Sequence, residues 1–111
     1  MNERLTVESG MAKLAKAQGS EFVTLFLHGT LQVEFYRPNK IDRQNPHTRD
    51  EIYVIISGSG YFVNGPERHP FLAGEVLFVP AGVVHRFEDF TDDFATWVFF
   101  YGPTGGEGSQ V

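Results

Sequence analysis

The residues of this chain that could do chemistry are its four histidines and the carboxylates near them, because it contains no cysteine. That absence excludes disulfides, thiolate metal sites, iron–sulfur clusters and a cysteine nucleophile together. A lone histidine is more often a surface or structural residue than a ligand. His47 stands out through its setting, Asn45-Pro46-His47-Thr48-Arg49-Asp50-Glu51. In a straight strand, His47 and Glu51 would lie about 13 Å apart at roughly 3.3 Å per residue. Ligand bonds of about 2.0–2.2 Å close that gap only if the chain bends between them. Thr48-Arg49-Asp50 is polar and could supply the bend. Imidazole and carboxylate together suit Zn, Mn, Fe, Co or Ni. The bland reading is a polar loop followed by an ordinary strand. A second candidate, His85, opens a segment just after Pro80-Ala81-Gly82. A histidine placed there could face the interior of a fold, and otherwise belongs to a surface hairpin.

These residues need a scaffold, and the pattern from Glu21 onward reads as strands. Leu31-Gln32-Val33-Glu34-Phe35 alternates apolar and polar residues, the sign of a half-buried strand. Residues 22–27, 51–56, 61–63, 75–79, 85–87 and 95–101 read as further short strands. Turn signals separate them, with Asn64-Gly65 the strongest hairpin signal and Ser57-Gly58-Ser59-Gly60 another turn. Many short strands at this spacing imply a sandwich or a barrel. Residues 1–20 differ: Met11 to Ala17 are good helix formers, Ser9 is a candidate N-cap and Gly19 a candidate stop. A helix that short must pack on something or fray. Residues 102–111 are Gly-rich and poor in apolar residues, and are expected to form a mobile tail.

At 111 residues the chain is expected to be one domain. The formal charge of −5 and the lack of a Lys/Arg cluster argue against a nucleic-acid partner. Neither a signal peptide nor a membrane span is expected, since no stretch approaches about 20 apolar residues. A cysteine-free chain is compatible with a reduced cytoplasm, the compartment expected here. Eleven Phe, four Tyr and one Trp suit a half-buried sheet or a lined pocket.

The two candidate segments together resemble the cupin superfamily, small proteins built on a double-stranded β-helix. In the first family motif, a second His, a Glu and a closing Gly are matched by His47, Glu51 and Gly58. In the second motif, Gly, Pro-x-Gly and His are matched without gaps by Gly74, Pro80, Gly82 and His85, and Asp89 stands where Asn is usual. The chain departs from the pattern at the opening Gly, which is Asn39, and at the first His, which is Asn45. Asn39 can adopt the left-handed conformation that Gly usually supplies.

The resemblance implies an all-β jelly-roll barrel over residues 21–101 with a short N-terminal helix. It implies one divalent transition metal ion held by His47, Glu51 and His85. Asn45, Gln44 or water is left as the fourth ligand. It also suggests that Phe35, Tyr53, Phe87, Trp97 and Phe99 line the cavity, although the ordinary role of each is core packing. Arg37 and Tyr53 are the polar residues that could orient an anionic or carbonyl substrate. The expected function is metal-dependent dioxygenase or isomerase chemistry on a small oxygen-rich molecule, with Glu51 as ligand or, if detached, as base. A non-catalytic binder and a metal-free scaffold are the alternatives. A homodimer is the expected assembly, paired through sheet edges and faces.

Overall fold

The computed structural model describes residues 4–108, so residues 1–3 and 109–111 of the two flanking segments lie outside the described part. One helix, α1 (Val7–Lys16), precedes eight strands: β1 (Phe22–His28), β2 (Leu31–Tyr36), β3 (Asp50–Ser57), β4 (Ser59–Asn64), β5 (Glu67–Leu72), β6 (Val76–Val79), β7 (His85–Glu88) and β8 (Ala95–Tyr101). They form a five-stranded sheet in the order β1-β2-β8-β3-β6 and a three-stranded sheet in the order β5-β4-β7. Every pairing is antiparallel. This is the jelly-roll that the two motifs implied.

The helix begins earlier than its composition suggested. Thr6, not Ser9, is the N-cap: its hydroxyl accepts from the Ser9 N–H at 3.0 Å, and the Ser9 hydroxyl accepts from the Thr6 N–H at 3.1 Å. Ser9 is thus the third helical residue of a reciprocal capping box. The helix packs on β1 and β2 through Gly10, which is buried. A Cβ on Gly10 would lie 2.7 Å from the Phe35 ring, so only glycine permits this approach.

Strand β5 is the element the sequence reading missed, because Pro70 interrupts its pattern. Proline is tolerated on an edge, where its missing N–H costs no ladder bond, and β5 is an edge strand. The Ser57–Gly60 turn is also tighter than expected, with β3 ending at Ser57 and β4 starting at Ser59.

Alternation divides the five-stranded sheet into two faces. Glu51, Tyr53 and Ile55 of β3 stand opposite Phe100, Val98 and Thr96 of β8, and this face looks into the barrel. The interior core joins Tyr53, Ile55, Phe62, Phe71, Phe87, Phe94, Val98 and Phe100. The other face carries Val33 opposite Phe99, Phe35 opposite Trp97, and Ile52 and Val54 beside Phe78 and Val76. The segment after β8, expected to be mobile, is tied back to the barrel. Gly102 N–H donates to Thr30 Oγ1, Gly105 N–H to the Thr48 carbonyl and Glu107 N–H to Asp50 Oδ2.

Candidate metal centre

Three separate elements bring the candidate donors together. His47 lies in the connection between β2 and β3, Glu51 is the second residue of β3, and His85 is the first residue of β7. The two sheets therefore meet at this point. The turn at Pro80-Ala81-Gly82 holds the His47 segment in place. Gly82, at φ 81°, donates its N–H to the His47 carbonyl at 2.7 Å, and Ala81 N–H donates to Asp50 Oδ1 at 3.0 Å. An L-residue in place of Gly82 would be strained in this left-handed conformation. The second motif thus fixes the loop that carries the first.

The bend required by the spacing is present. His47 Nε2 lies 3.7 Å from Glu51 Oε1, and His85 Nε2 lies 3.1 Å from the same oxygen. One ligand atom from each of the three residues falls within 4.8 Å of the others. Donors sharing a metal with bonds of about 2.1 Å are separated by about 3.0–3.4 Å in octahedral or tetrahedral geometry. The 3.1 Å distance lies in that range and the 3.7 Å distance just outside it, while the widest separation in the group, up to 4.8 Å, would have to close around an ion.

Hydrogen bonding singles out these atoms more sharply than distance does. Among the described residues four carboxylates are buried: Glu34, Asp42, Asp50 and Glu51. Glu34 accepts from Gln32 and Thr24, Asp42 from Tyr36, Gln44 and the Phe87 N–H, and Asp50 from the Ala81 and Glu107 N–H groups. Glu51 is 1% exposed, and neither of its oxygens has an aligned hydrogen-bond donor. His85 Nε2 is likewise without a hydrogen bond. The other ring nitrogen, Nδ1, lies 2.9 Å from the Val83 carbonyl, an acceptor, so Nδ1 carries a proton. In the neutral ring, Nε2 is then the lone-pair nitrogen and points towards an anion. Acceptors aimed at acceptors inside a protein are costly unless a cation lies between them. The donor set fits a divalent transition metal for that reason, and the Val83 contact is the type of outer contact that orients a ligating imidazole.

A proton would compete with a metal for these atoms. Burial pulls the His85 imidazole down, but the adjacent Glu51 carboxylate and the Val83 carbonyl outweigh it, so its proton affinity is raised; without a metal, a proton on Nε2 is the cation that stands between the ring and Glu51. Burial and the neighbouring His85 lower that of His47, against the opposing pull of Glu51. Burial, reinforced by the Glu51 charge, holds the Tyr53 hydroxyl protonated far into the alkaline range. Tyr53 is therefore a donor, and its proton goes to Gln44 Oε1 at 2.9 Å.

His47 opens the site to a cavity of about 960 Å³ lined also by Gln32, Glu34, Tyr36, Arg49 and Phe100. The Phe100 ring stands edge-on to the His47 imidazole at 4.9 Å between centroids and buttresses it. Of the two amides considered as fourth ligand, Asn45 is exposed on the cavity rim, whereas Gln44 Oε1 lies 3.1 Å from His47 Nε2.

Several expected lining residues lie elsewhere. Phe35, Trp97 and Phe99 occupy the outer face of the sheet, with Phe35 and Trp97 in edge-to-face contact at 5.7 Å. Arg37 points away from the cavity and donates to the Asp92 carbonyl. The error is one of parity: a shift of one residue along a strand exchanges the faces. Tyr53 and Phe87 do face inward, but they are sealed in the core, not on the cavity wall. Phe100, Glu34 and Tyr36 are the inward residues the reading passed over. Alternation counted from Glu51 through its partner Phe100, and from Phe100 through Gln32, would have found that face. The strand pairing itself was not readable from the sequence.

Residues 32–101 match the model of the cupin domain family. An uncharacterised protein of Streptomyces coelicolor is 39% identical over 62 residues, covering 56% of this chain and 59% of that protein. Acireductone dioxygenase of Drosophila melanogaster is 42% identical over 53 residues, covering 43% of this chain and 28% of that enzyme. The chain therefore matches less than two thirds of the length of either relative. A cupin 2 conserved barrel domain protein from Salinispora arenicola superposes with a TM-score of 0.65 at 18% identity, covering 92% of this chain and 89% of that one. That likeness carries the fold alone. The family match spans more than half of the sequence and includes both motifs, so this chain belongs to the cupin domain family.

Proposed function

We propose that this cupin is a metal-dependent enzyme, a dioxygenase or an isomerase, acting on a small oxygen-rich organic molecule. His47, Glu51 and His85 hold one divalent transition metal ion, drawn from Zn, Mn, Fe, Co and Ni. The observation that carries this reading is the group of buried acceptors, Glu51 Oε1 and Oε2 with His85 Nε2, that no protein donor satisfies. When bound, the metal supplies a Lewis acid for an oxygen of the substrate. The protein's own contribution is to seal Glu51 and His85 from water and to leave His47 on the cavity side. Arg49 is braced by the Thr30 carbonyl and by Gln32 Oε1, and presents a fixed cation on the cavity wall. Glu34 and Gln32 add polar groups that suit hydroxyl and carbonyl functions. The stretch shared with acireductone dioxygenase favours oxygen chemistry over isomerisation.

The test begins with elemental analysis of protein equilibrated with each of the five metals and then freed of excess. One equivalent per chain is expected, and it is lost in His85→Ala. A wild-type chain that retains none of the five ends the metal reading. Oxygen uptake is then followed with a panel of enediols, diketones and catechols. Turnover that survives removal of the metal would overturn the assignment, and tight binding without turnover would leave a ligand-binding module.

The same proposal includes a second copy of the chain as partner. Its support is the outer apolar face, where Val76 is 64% and Phe78 48% exposed beside the half-buried Ile52 and Val54. A light-scattering mass of a single chain would remove it.

A further inference from the structure

We infer that Gln44 supplies a fourth protein donor to the metal, and that Asp42 is the positioning residue that aims it. The inference rests on the metal reading above and concerns two residues at positions that the first family motif leaves unspecified. Asp42 is buried at 7% exposure, in the connection between β2 and β3. Its Oδ1 accepts from the Tyr36 hydroxyl at 2.6 Å and from the Gln44 N–H at 3.1 Å. Its Oδ2 accepts from the Phe87 N–H at 2.9 Å and from Gln44 Nε2 at 2.9 Å. Burial, with the Asp42 charge next in importance, keeps the Tyr36 phenol protonated, so it remains a donor. The carboxylate is thus surrounded by donors from β2, β7 and its own loop.

This arrangement removes the ambiguity of the Gln44 amide. A carboxylate only accepts, so the NH₂ end must face Asp42. The flipped amide would set its carbonyl against that carboxylate and its NH₂ against the Tyr53 hydroxyl hydrogen. Oε1 is therefore the atom presented to the site. One of its lone pairs takes the Tyr53 proton at 2.9 Å. The other faces His47 Nε2 at 3.1 Å. A ligating imidazole nitrogen carries no proton to give, so that second lone pair is left for the cation. The spacing matches the 3.1 Å between His85 Nε2 and Glu51 Oε1 on the other side of the cluster.

The consequence is a four-donor set in which Gln44 adds no charge. Two imidazoles, one carboxylate and one amide leave a divalent ion with a net positive charge, which preserves its pull on substrate oxygens. Asn45, at the position of the missing histidine, takes no part.

Cobalt(II) alone is the probe, read by calorimetry and by its visible absorption bands. Gln44→Ala and Gln44→Leu should weaken binding by about 10- to 100-fold and alter the bands. Asp42→Asn should weaken binding by about 10-fold, because its amide no longer dictates the orientation of Gln44. Asn45→Ala should match wild type in both readouts. Far-ultraviolet circular dichroism of each metal-free variant separates loss of fold from loss of ligand, and the two Gln44 variants cover the case in which one fails to fold. Wild-type affinity and bands in folded Gln44 variants, or losses in Asn45→Ala equal to theirs, would overturn the inference. An unchanged Asp42→Asn would overturn the role given to Asp42. Failure of the wild type to bind cobalt is a different result: it removes the metal reading itself.

Discussion

The two ends of the barrel interior are built on opposite principles. One end is aromatic: Phe62, Phe71, Phe87 and Phe94 are at most 2% exposed, and their rings meet at 4.6–5.2 Å between centroids. Each ring there is satisfied by its neighbours, and burial of apolar area with edge and tilted ring contacts stabilises the fold. The other end is ionic: His47, Glu51 and His85 converge with Gln44 and Asp42 behind them. There the outer residues are saturated with hydrogen bonds and the innermost atoms have none. The contrast separates residues that hold the barrel from residues kept in it at a cost, which is where function is expected.

Three substitutions probe that contrast, and the largest effect belongs to the aromatic end. Phe94→Ala should cost about 3–5 kcal/mol in urea unfolding of the metal-free protein, since it opens a cavity among the three rings of Phe71, Phe87 and Phe90. The metal stoichiometry of the folded fraction should not change. A loss of stoichiometry would mean that the two ends are not independent.

Glu51→Gln should act in the opposite direction. It removes a buried charge without donors, and its new NH₂ can donate to His85 Nε2, so the metal-free protein should gain about 1–3 kcal/mol. The same variant should lose the increase in melting temperature that metal gives the wild type. If Glu51→Gln instead destabilises the metal-free protein, Glu51 and His85 form a supporting ion pair, and the distinction between the ends fails.

The smallest effect is expected at Glu34, and it depends on pH. Burial first, and the charge of Glu51 as well, raise its proton affinity in the folded state, against the lowering effect of the Gln32 and Thr24 hydrogen bonds. A carboxylate raised on folding favours the fold while protonated, and that contribution is lost as pH rises through the folded value. At pH 7, Glu34→Gln should therefore gain up to about 1 kcal/mol, a gain that disappears below the ordinary carboxylate range. A gain that is constant with pH would assign the effect to packing and not to charge.

The parts of this protein visible in its sequence were those written locally. The spacing Gly74, Pro80, Gly82 and His85 records a turn whose geometry is fixed within a few residues, and the structure uses it to grip the His47 carbonyl. Period-two patterning marked most strands, and the spacing from His47 to Glu51 already required a bend. Strand β5 escaped because the rule against proline in strands has an exception at edges, and an edge exists only in three dimensions. Phe35, Trp97 and Phe99 were assigned inward because alternation states that two faces differ without saying which one is inside.

The sequence by itself determined the donor types, the bend between His47 and Glu51, and the family to which both motifs point. Tertiary structure alone decided that β3 and β7, from different sheets, would bring Glu51 and His85 to 3.1 Å. It alone decided that Gln44 would turn inward while Asn45 stayed on the rim. The physical reason is that an amide is oriented by what surrounds it. The Asp42 carboxylate that orients Gln44 is itself held by a hydroxyl from β2 and a backbone N–H from β7, elements that lie apart in sequence and meet only in the folded barrel.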